Sequence, residues 1–175
     1  MENRQPGIAM IGAGAIGGTT AAFMKQAGWE LEMVCKHQET VDRISKRGFH
    51  ITGMKGEHTV RMKAVKDISD LSGSMDFVFL ATKATDCLNA ARDLLPVLGP
   101  DSTVISLQNG ICEEALTNIL GRGRILGCVV GWGATNKGPG ELEVTFEGEL
   151  VVGNMDKEAY ERLSTVQKTQ REFTS

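Results

Sequence analysis

The chain's 175 residues suffice for one well-packed α/β domain and fall short of two of ordinary size. With 41% apolar and 23% charged residues and a net charge of −3 from interspersed acids and bases, it has a globular composition. It lacks the one-signed basic surface that a phosphate backbone requires, so nucleic acid is not an expected partner. The first apolar run is broken by glycines at 12, 14, 17 and 18, which excludes a signal peptide or a membrane span there. Cys35, Cys87, Cys112 and Cys128 are widely spaced and share no ligand pattern with His37, His50 or His58. Reduced thiols, no metal and a cytoplasmic location are therefore expected.

Residues 7–11 form an apolar run that stops at glycines, and residues 15–27 are rich in small helix-compatible side chains, which predicts strand, turn and helix. A second apolar strand at 31–35 completes a βαβ unit, and 38–47 predicts a helix with Val41 and Ile44 on one face. Short strands are expected at 49–52 and 59–62 around a turn at 53–56. Residues 75–81 carry the clearest buried strand, because Phe77-Val78-Phe79-Leu80 is continuously apolar, as a parallel strand covered on both faces must be. A helix at 86–95 stopped by Pro96, a strand at 103–107, a helix at 113–120 and a strand at 124–130 follow. After Gly138-Pro139-Gly140, residues 142–146 and 150–152 read as an antiparallel pair closing the sheet edge, and 157–168 as a last helix. The expected fold class is α/β, a Rossmann-type doubly wound and mostly parallel sheet with an antiparallel edge. Residues 1–154 form the nucleotide-binding domain and 155–175 a terminal helix.

Gly12-Ala13-Gly14-Ala15-Ile16-Gly17 matches G-x-G-x-x-G, a weak signal alone in a chain with 21 glycines. Its context strengthens it: the motif follows a strand, opens a helix and leads into a second strand within about thirty residues. Gly12 permits the tight turn, Gly14 the approach of backbone to a pyrophosphate, and Gly17 close packing of helix on strand, with the anion held on free amides at the helix start. A P-loop is excluded because Met54, after Gly48 and Gly53, stands where that loop needs its lysine. NAD enzymes usually place an acid at the end of the second strand, to receive the ribose hydroxyls. Here Val34-Cys35-Lys36-His37 offers a cation, and Lys36, helped by Arg43, would attract a 2′-phosphate. The cofactor expected is NADP.

Ligands of open α/β sheets bind outside the carboxyl ends of the strands. Two such ends carry polar groups, Thr82-Lys83 and Gln108-Asn109. These residues complete a pattern. The glycine motif, Lys36, Ala81-Thr82-Lys83-Ala84, Ser106-Leu107-Gln108-Asn109-Gly110, and Gly133-Ala134-Thr135 ahead of Gly138-Pro139-Gly140 together resemble the N-terminal domain of the ketopantoate reductase family, over about residues 7–153.

The resemblance implies NADPH-dependent reduction of a 2-oxo acid, 2-dehydropantoate to pantoate in the type reaction of pantothenate biosynthesis. By that likeness Gly12, Ala13, Gly14, Ala15, Ile16 and Gly17 would hold the pyrophosphate and Lys36 the 2′-phosphate. Lys83 and Ala134 would lie at the nicotinamide side, and Asn109 would touch both cofactor and substrate. It also implies a helical C-terminal substrate domain carrying the proton-donating lysine, which the 175 residues do not include. The isolated chain is thus expected to bind NADP with little or no turnover, and no catalytic residue is assigned within it. Apolar surface that the second domain would cover makes self-association an expectation. Trp132 departs from the small residue or histidine usual before Gly133. Other readings fit less well. The only tyrosine, Tyr160, is followed four residues on by Ser164 and not by lysine, and no histidine follows a late strand. A nonenzymatic NADP-sensing or interaction module remains the alternative, since fold does not prove function.

Overall fold

The computed structural model describes residues 5–108 and 112–153. Along the chain come β1 (Ile8–Ile11), α1 (Ala15–Gln26), β2 (Glu32–Val34), α2 (Gln38–Arg47), β3 (Phe49–Gly53), β4 (His58–Val60), β5 (Lys63–Val65) and β6 (Met75–Leu80). They are followed by α3 (Ala84–Leu94), β7 (Leu98–Ser106), α4 (Glu113–Leu120), β8 (Ile125–Val130), β9 (Gly133–Gly138), β10 (Glu141–Phe146) and β11 (Leu150–Gly153). α3 stops where Pro96 enters a 3-10 turn at Leu95–Val97, as a residue without an amide hydrogen should make it.

Seven strands build the main sheet, in the order β11-β8-β7-β6-β1-β2-β5, parallel throughout except for β11 on β8. β1 shows why its sequence does not alternate. Ile8 and Met10 enter one apolar core and Ala9 and Ile11 the other, so every position is buried. One core is built with α3 and α4, through Cys87, Ala91, Leu94, Leu116 and Leu120. The other is built with α1, α2 and a second sheet. The doubly wound, mostly parallel sheet with an antiparallel edge is thereby established, and none of the described helices is long and apolar enough to cross a membrane.

The second sheet corrects the expected chain ending. Residues 142–146 and 150–152 do not pair with each other. β10 pairs antiparallel with β9 and parallel with β3, in a four-stranded sheet ordered β4-β3-β10-β9, while β11 borders β8 in the main sheet. The physical reason is burial. Leu142 and Val144 alternate inward onto α1 and β3, whereas β11 is mostly exposed. The chain changes sheets at Gly148, where backbone runs so close to Gly131 that a side chain would strike the Gly131 carbonyl, and the Gly131 amide donates to the Glu149 carbonyl. β5 and β9 also go beyond the predicted elements. The former has three residues and the latter, Gly-Ala-Thr-Asn-Lys-Gly, has no apolar alternation to announce it. The predicted helix at 157–168 lies outside the described residues.

α1 runs between the two sheets, touching β1 on one side and β3, β9 and β10 on the other. That position explains its sequence. Gly17 through Ala22 are buried consecutively, so small side chains, rather than one apolar stripe, are what the site permits. A side chain at Gly18 would meet Leu142 and Phe49 of the second sheet.

Candidate dinucleotide site

From β1 the chain first builds outward through β2 and β5, then returns to the other side of β1 with β6. The connections therefore diverge at the carboxyl ends of β1 and β6, and a crevice opens there, which is where open α/β sheets hold ligands. The glycine loop fills the β1 side. Gly12 adopts φ +110°, donates to the Val34 carbonyl at 3.0 Å, and leaves no room for a side chain, whose Cβ would lie 2.7 Å from the Ala81 carbonyl oxygen. A Cβ at Gly17 would sit on the Gly12 carbonyl and 2.8 Å from Ala81 Cβ. Ala13 and Ile16 are half-buried against the α1 core, and the Ile16 carbonyl accepts the Thr20 hydroxyl at 2.8 Å.

Gly14 differs. It is exposed and, apart from its chain neighbours, nothing among the described residues lies within 4 Å of where its Cβ would be, so their packing does not account for glycine there. It is also the N-cap of α1, which begins with no side-chain cap and no acid in its first turn. A helix start leaves its first amides without intrahelical partners. Bare amides, a positive helix end and open space over Gly14 together fit a diphosphate.

On the β6 side, Thr82 and Lys83 leave the strand and Lys83 is the N-cap of α3, exposed, with no side-chain partner among the described residues. Gln108, buried at the end of β7, donates from Nε2 to the Thr82 carbonyl (3.1 Å) and hydroxyl (2.8 Å). This amide braces the β6 exit, a role the sequence did not reveal because the two residues lie 26 apart. Asn109, the expected contact of both cofactor and substrate, lies outside the described residues. Ala134 lies in β9, opposite Val144 in the four-stranded sheet that packs along α1.

The β2 exit carries Lys36, whose Nζ lies 2.9 Å from Asp86 Oδ2 in the first turn of α3. Beside it, burial pushes the Cys35 thiol up to about 12, so this strand end presents no anion of its own. Arg43 does not assist Lys36. Its guanidinium bonds the Gly48 carbonyl at 3.3 Å and Glu141 of β10, because α2 packs on β5 and on β3, the neighbour of β10. Glu141 Oε2 also lies 2.6 Å from His50 Nδ1, and His50 Nε2 2.9 Å from Glu57. Glu57 and Glu141 hold the His50 ring above its ordinary value. Burial works to raise the Glu141 carboxyl, but hydrogen bonds from His50 and Arg43 outweigh it and lower its pKa. This cluster clamps α2 to the second sheet.

Comparison with known proteins agrees with this architecture. The family described as ketopantoate reductase PanE/ApbA matches residues 8–157. The 2-dehydropantoate 2-reductase of Aquifex aeolicus is 26% identical over 161 residues, covering 89% of this chain and 50% of that protein. That of Archaeoglobus fulgidus is 29% identical over 149 residues, covering 85% and 47%. The crystal structure of 2-dehydropantoate 2-reductase from Geobacter metallireducens superposes with a TM-score of 0.80 at 25% identity, over 93% of this chain and 55% of that one. D-mandelate dehydrogenase, solved with NADH and anilino(oxo)acetate, shares the fold with a TM-score of 0.76 at 24% identity, over 93% of this chain and 54% of that one. The chain spans about half the length of the curated relatives it matches. With the family match running from β1 past the end of β11, and the glycine loop built as that fold requires, this chain belongs to the ketopantoate reductase PanE/ApbA family.

Proposed function

We propose that this chain binds NADPH and forms the coenzyme-holding half of a reductase that converts a 2-oxo acid to a 2-hydroxy acid, of the 2-dehydropantoate to pantoate type. The relatives named above, 2-dehydropantoate 2-reductases, support the reaction class. The fold alone leaves the choice of coenzyme open, since a neighbour of the same fold was solved with NADH. The single observation that carries NADPH is the β2 exit, where Lys36 stands without a carboxylate on its own loop.

When bound, the coenzyme supplies the hydride. The residues of this chain position it: the backbone of Gly12–Gly17 and the start of α1 take the diphosphate, Lys36 the 2′-phosphate, and the β6 and β7 exits, braced by Gln108, flank the nicotinamide side with Lys83 and Asn109. Ala134 of β9 belongs to the same assignment. Carbonyl reduction also needs a proton or fixed cation at the developing oxyanion. We assign that group to the part of the relatives' length that this chain does not span, so the 175 residues bind coenzyme without appreciable turnover.

Calorimetric titration with NADPH and NADH tests the reading. NADPH is expected to bind roughly tenfold tighter or more, equivalent to about 1.4 kcal/mol, and Lys36→Ala should abolish the difference. Equal dissociation constants in the unaltered chain would overturn the NADPH assignment. Oxidation of NADPH by the isolated chain in the presence of 2-dehydropantoate would overturn the division of labour.

A further inference from the structure

Asp86 is bonded to Lys36 of the proposed 2′-phosphate site, and it reaches that site from the opposite wall of the cleft. β2, β1 and β6 are consecutive neighbours in the sheet, so the β2 and β6 exits are separated by two strand spacings, roughly 10 Å. The Lys36–Asp86 contact of 2.9 Å, between side chains 70% and 42% exposed, therefore spans the end of β1, where the glycine loop begins. Asp86 is itself fixed by the start of α3, its amide bonded to the Lys83 carbonyl at 2.9 Å.

We propose that Asp86 narrows the coenzyme preference of this site, by holding the Lys36 ammonium that the 2′-phosphate needs. The inference rests on the NADPH reading given above. A lysine is a compact point charge with three donors. With one donor taken by Asp86, an arriving phosphate must share Lys36 with a carboxylate a few ångströms away, and like charges at that distance repel. A coenzyme with free ribose hydroxyls has no such conflict. It can enter with the bridge intact, so Asp86 weakens NADPH selectively and narrows the preference that Lys36 alone would create. Because both side chains are solvent-exposed, screening confines the effect to a severalfold change rather than orders of magnitude. Rules that look only at the end of the second strand miss this control, because Asp86 lies 50 residues away in sequence.

The test uses the 175-residue chain, its Asp86→Asn and Lys36→Ala variants, and the double variant, with circular dichroism confirming that each is folded. Dissociation constants are measured for NADPH and NADH, and for the fragments 2′,5′-ADP and 5′-AMP, which isolate the 2′-phosphate from the nicotinamide. Asp86→Asn should tighten NADPH and 2′,5′-ADP by roughly three- to tenfold while moving NADH and 5′-AMP less than about twofold. Adding Lys36→Ala should erase the gain, and raising the salt concentration should shrink it. If the unaltered chain prefers NADPH through Lys36 but Asp86→Asn changes nothing, or tightens both coenzymes equally, the role of Asp86 is overturned and the NADPH reading stands. If the unaltered chain binds NADPH and NADH equally, the NADPH reading falls and this inference with it.

Discussion

The two sheets that enclose α1 are held by different means. On the main-sheet side the start of α1 meets backbone on backbone: Gly12 lies against the Ala81 carbonyl and Gly17 against Gly12, with no side chain between them. In the four-stranded sheet the contact is side chain on helix, Phe49 and Leu142 pressing on Gly18, with the outward side tied by Arg43, His50 and Glu141. The difference teaches a division of labour. The first sheet fixes the shape of the loop that would cradle the diphosphate, and the second fixes where the helix behind that loop stands.

Gly17→Val should break the first arrangement outright. The new side chain meets backbone on one side and Ala81 on the other, neither of which can yield cheaply. A loss of about 3 kcal/mol or more is expected, read as a large fall in melting temperature, together with loss of coenzyme binding. Gly14→Val sharpens the point. With open space around it, stability should fall by only about 1 kcal/mol, the loss of a favourable N-cap residue, whereas NADPH affinity should fall more than tenfold because the branched side chain occupies the space assigned to the diphosphate. A Gly14→Val protein that binds NADPH normally would show that the loop is not the cradle.

Leu142→Ala addresses the second sheet. The side chain is fully buried, so its truncation should cost about 2–4 kcal/mol, less than Gly17→Val if the neighbours relax into the cavity. Measured below the melting transition, the affinity for NADPH should drop no more than about threefold, since the helix shifts while its bare amides remain. A loss of affinity as large as that of Gly14→Val would mean that brace and cradle cannot be separated.

The same contrast decides what the sequence could convey. Strands buried on both faces advertise themselves, and Phe77-Val78-Phe79-Leu80 reads directly as β6. The glycine loop is equally legible because its requirements are local. The second sheet is not. β9 has no apolar period, and β10 pairs with β3 some ninety residues earlier, a partner that no local pattern encodes. At the site, Lys36 is found from its place after β2, but its pairing with Asp86 and the bracing of Thr82 by Gln108 are long-range contacts. Arg43, close to Lys36 in sequence, is drawn away by Glu141 for the same reason: the sheet that supplies Glu141 cannot be read in advance.

Glu141→Gln should have a moderate, pH-dependent effect. Hydrogen bonds to Glu57 and Glu141 raise the His50 pKa, so the stability it contributes is complete below the ordinary histidine range and is lost as pH rises through the raised value. The Glu141 pKa is lowered, so its contribution is complete above the ordinary glutamate range and is lost as pH falls through the lowered value. Both are present together between roughly pH 4.5 and 6.5. Within that window the unaltered chain should melt roughly 2–5 °C above the variant, a gap kept small by solvent screening, and the gap should narrow as pH rises beyond the His50 transition. A gap that stays constant from pH 5 to 9 would remove His50 from the clamp.

The smallest expected change is at the thiols, and it compares the buried layers directly. Burial pushes Cys35 up to about 12 and Cys128 up to about 11; Cys87 also rises to about 11, through burial and then through its neighbour Cys112. At pH 8 the thiolate fraction of each is on the order of 0.1% or less, and burial blocks reagent access as well. A disulfide reagent should therefore modify the half-buried Cys112 in the native protein and reach the other three only in denaturant. Because Cys35 adjoins Lys36 yet points into the α1 core, NADPH should leave its protection unchanged. Native-state labelling of Cys35 that coenzyme suppresses would show the β2 exit opening and closing with the ligand, and the rigid contrast between the two sheets would have to give way to a moving one.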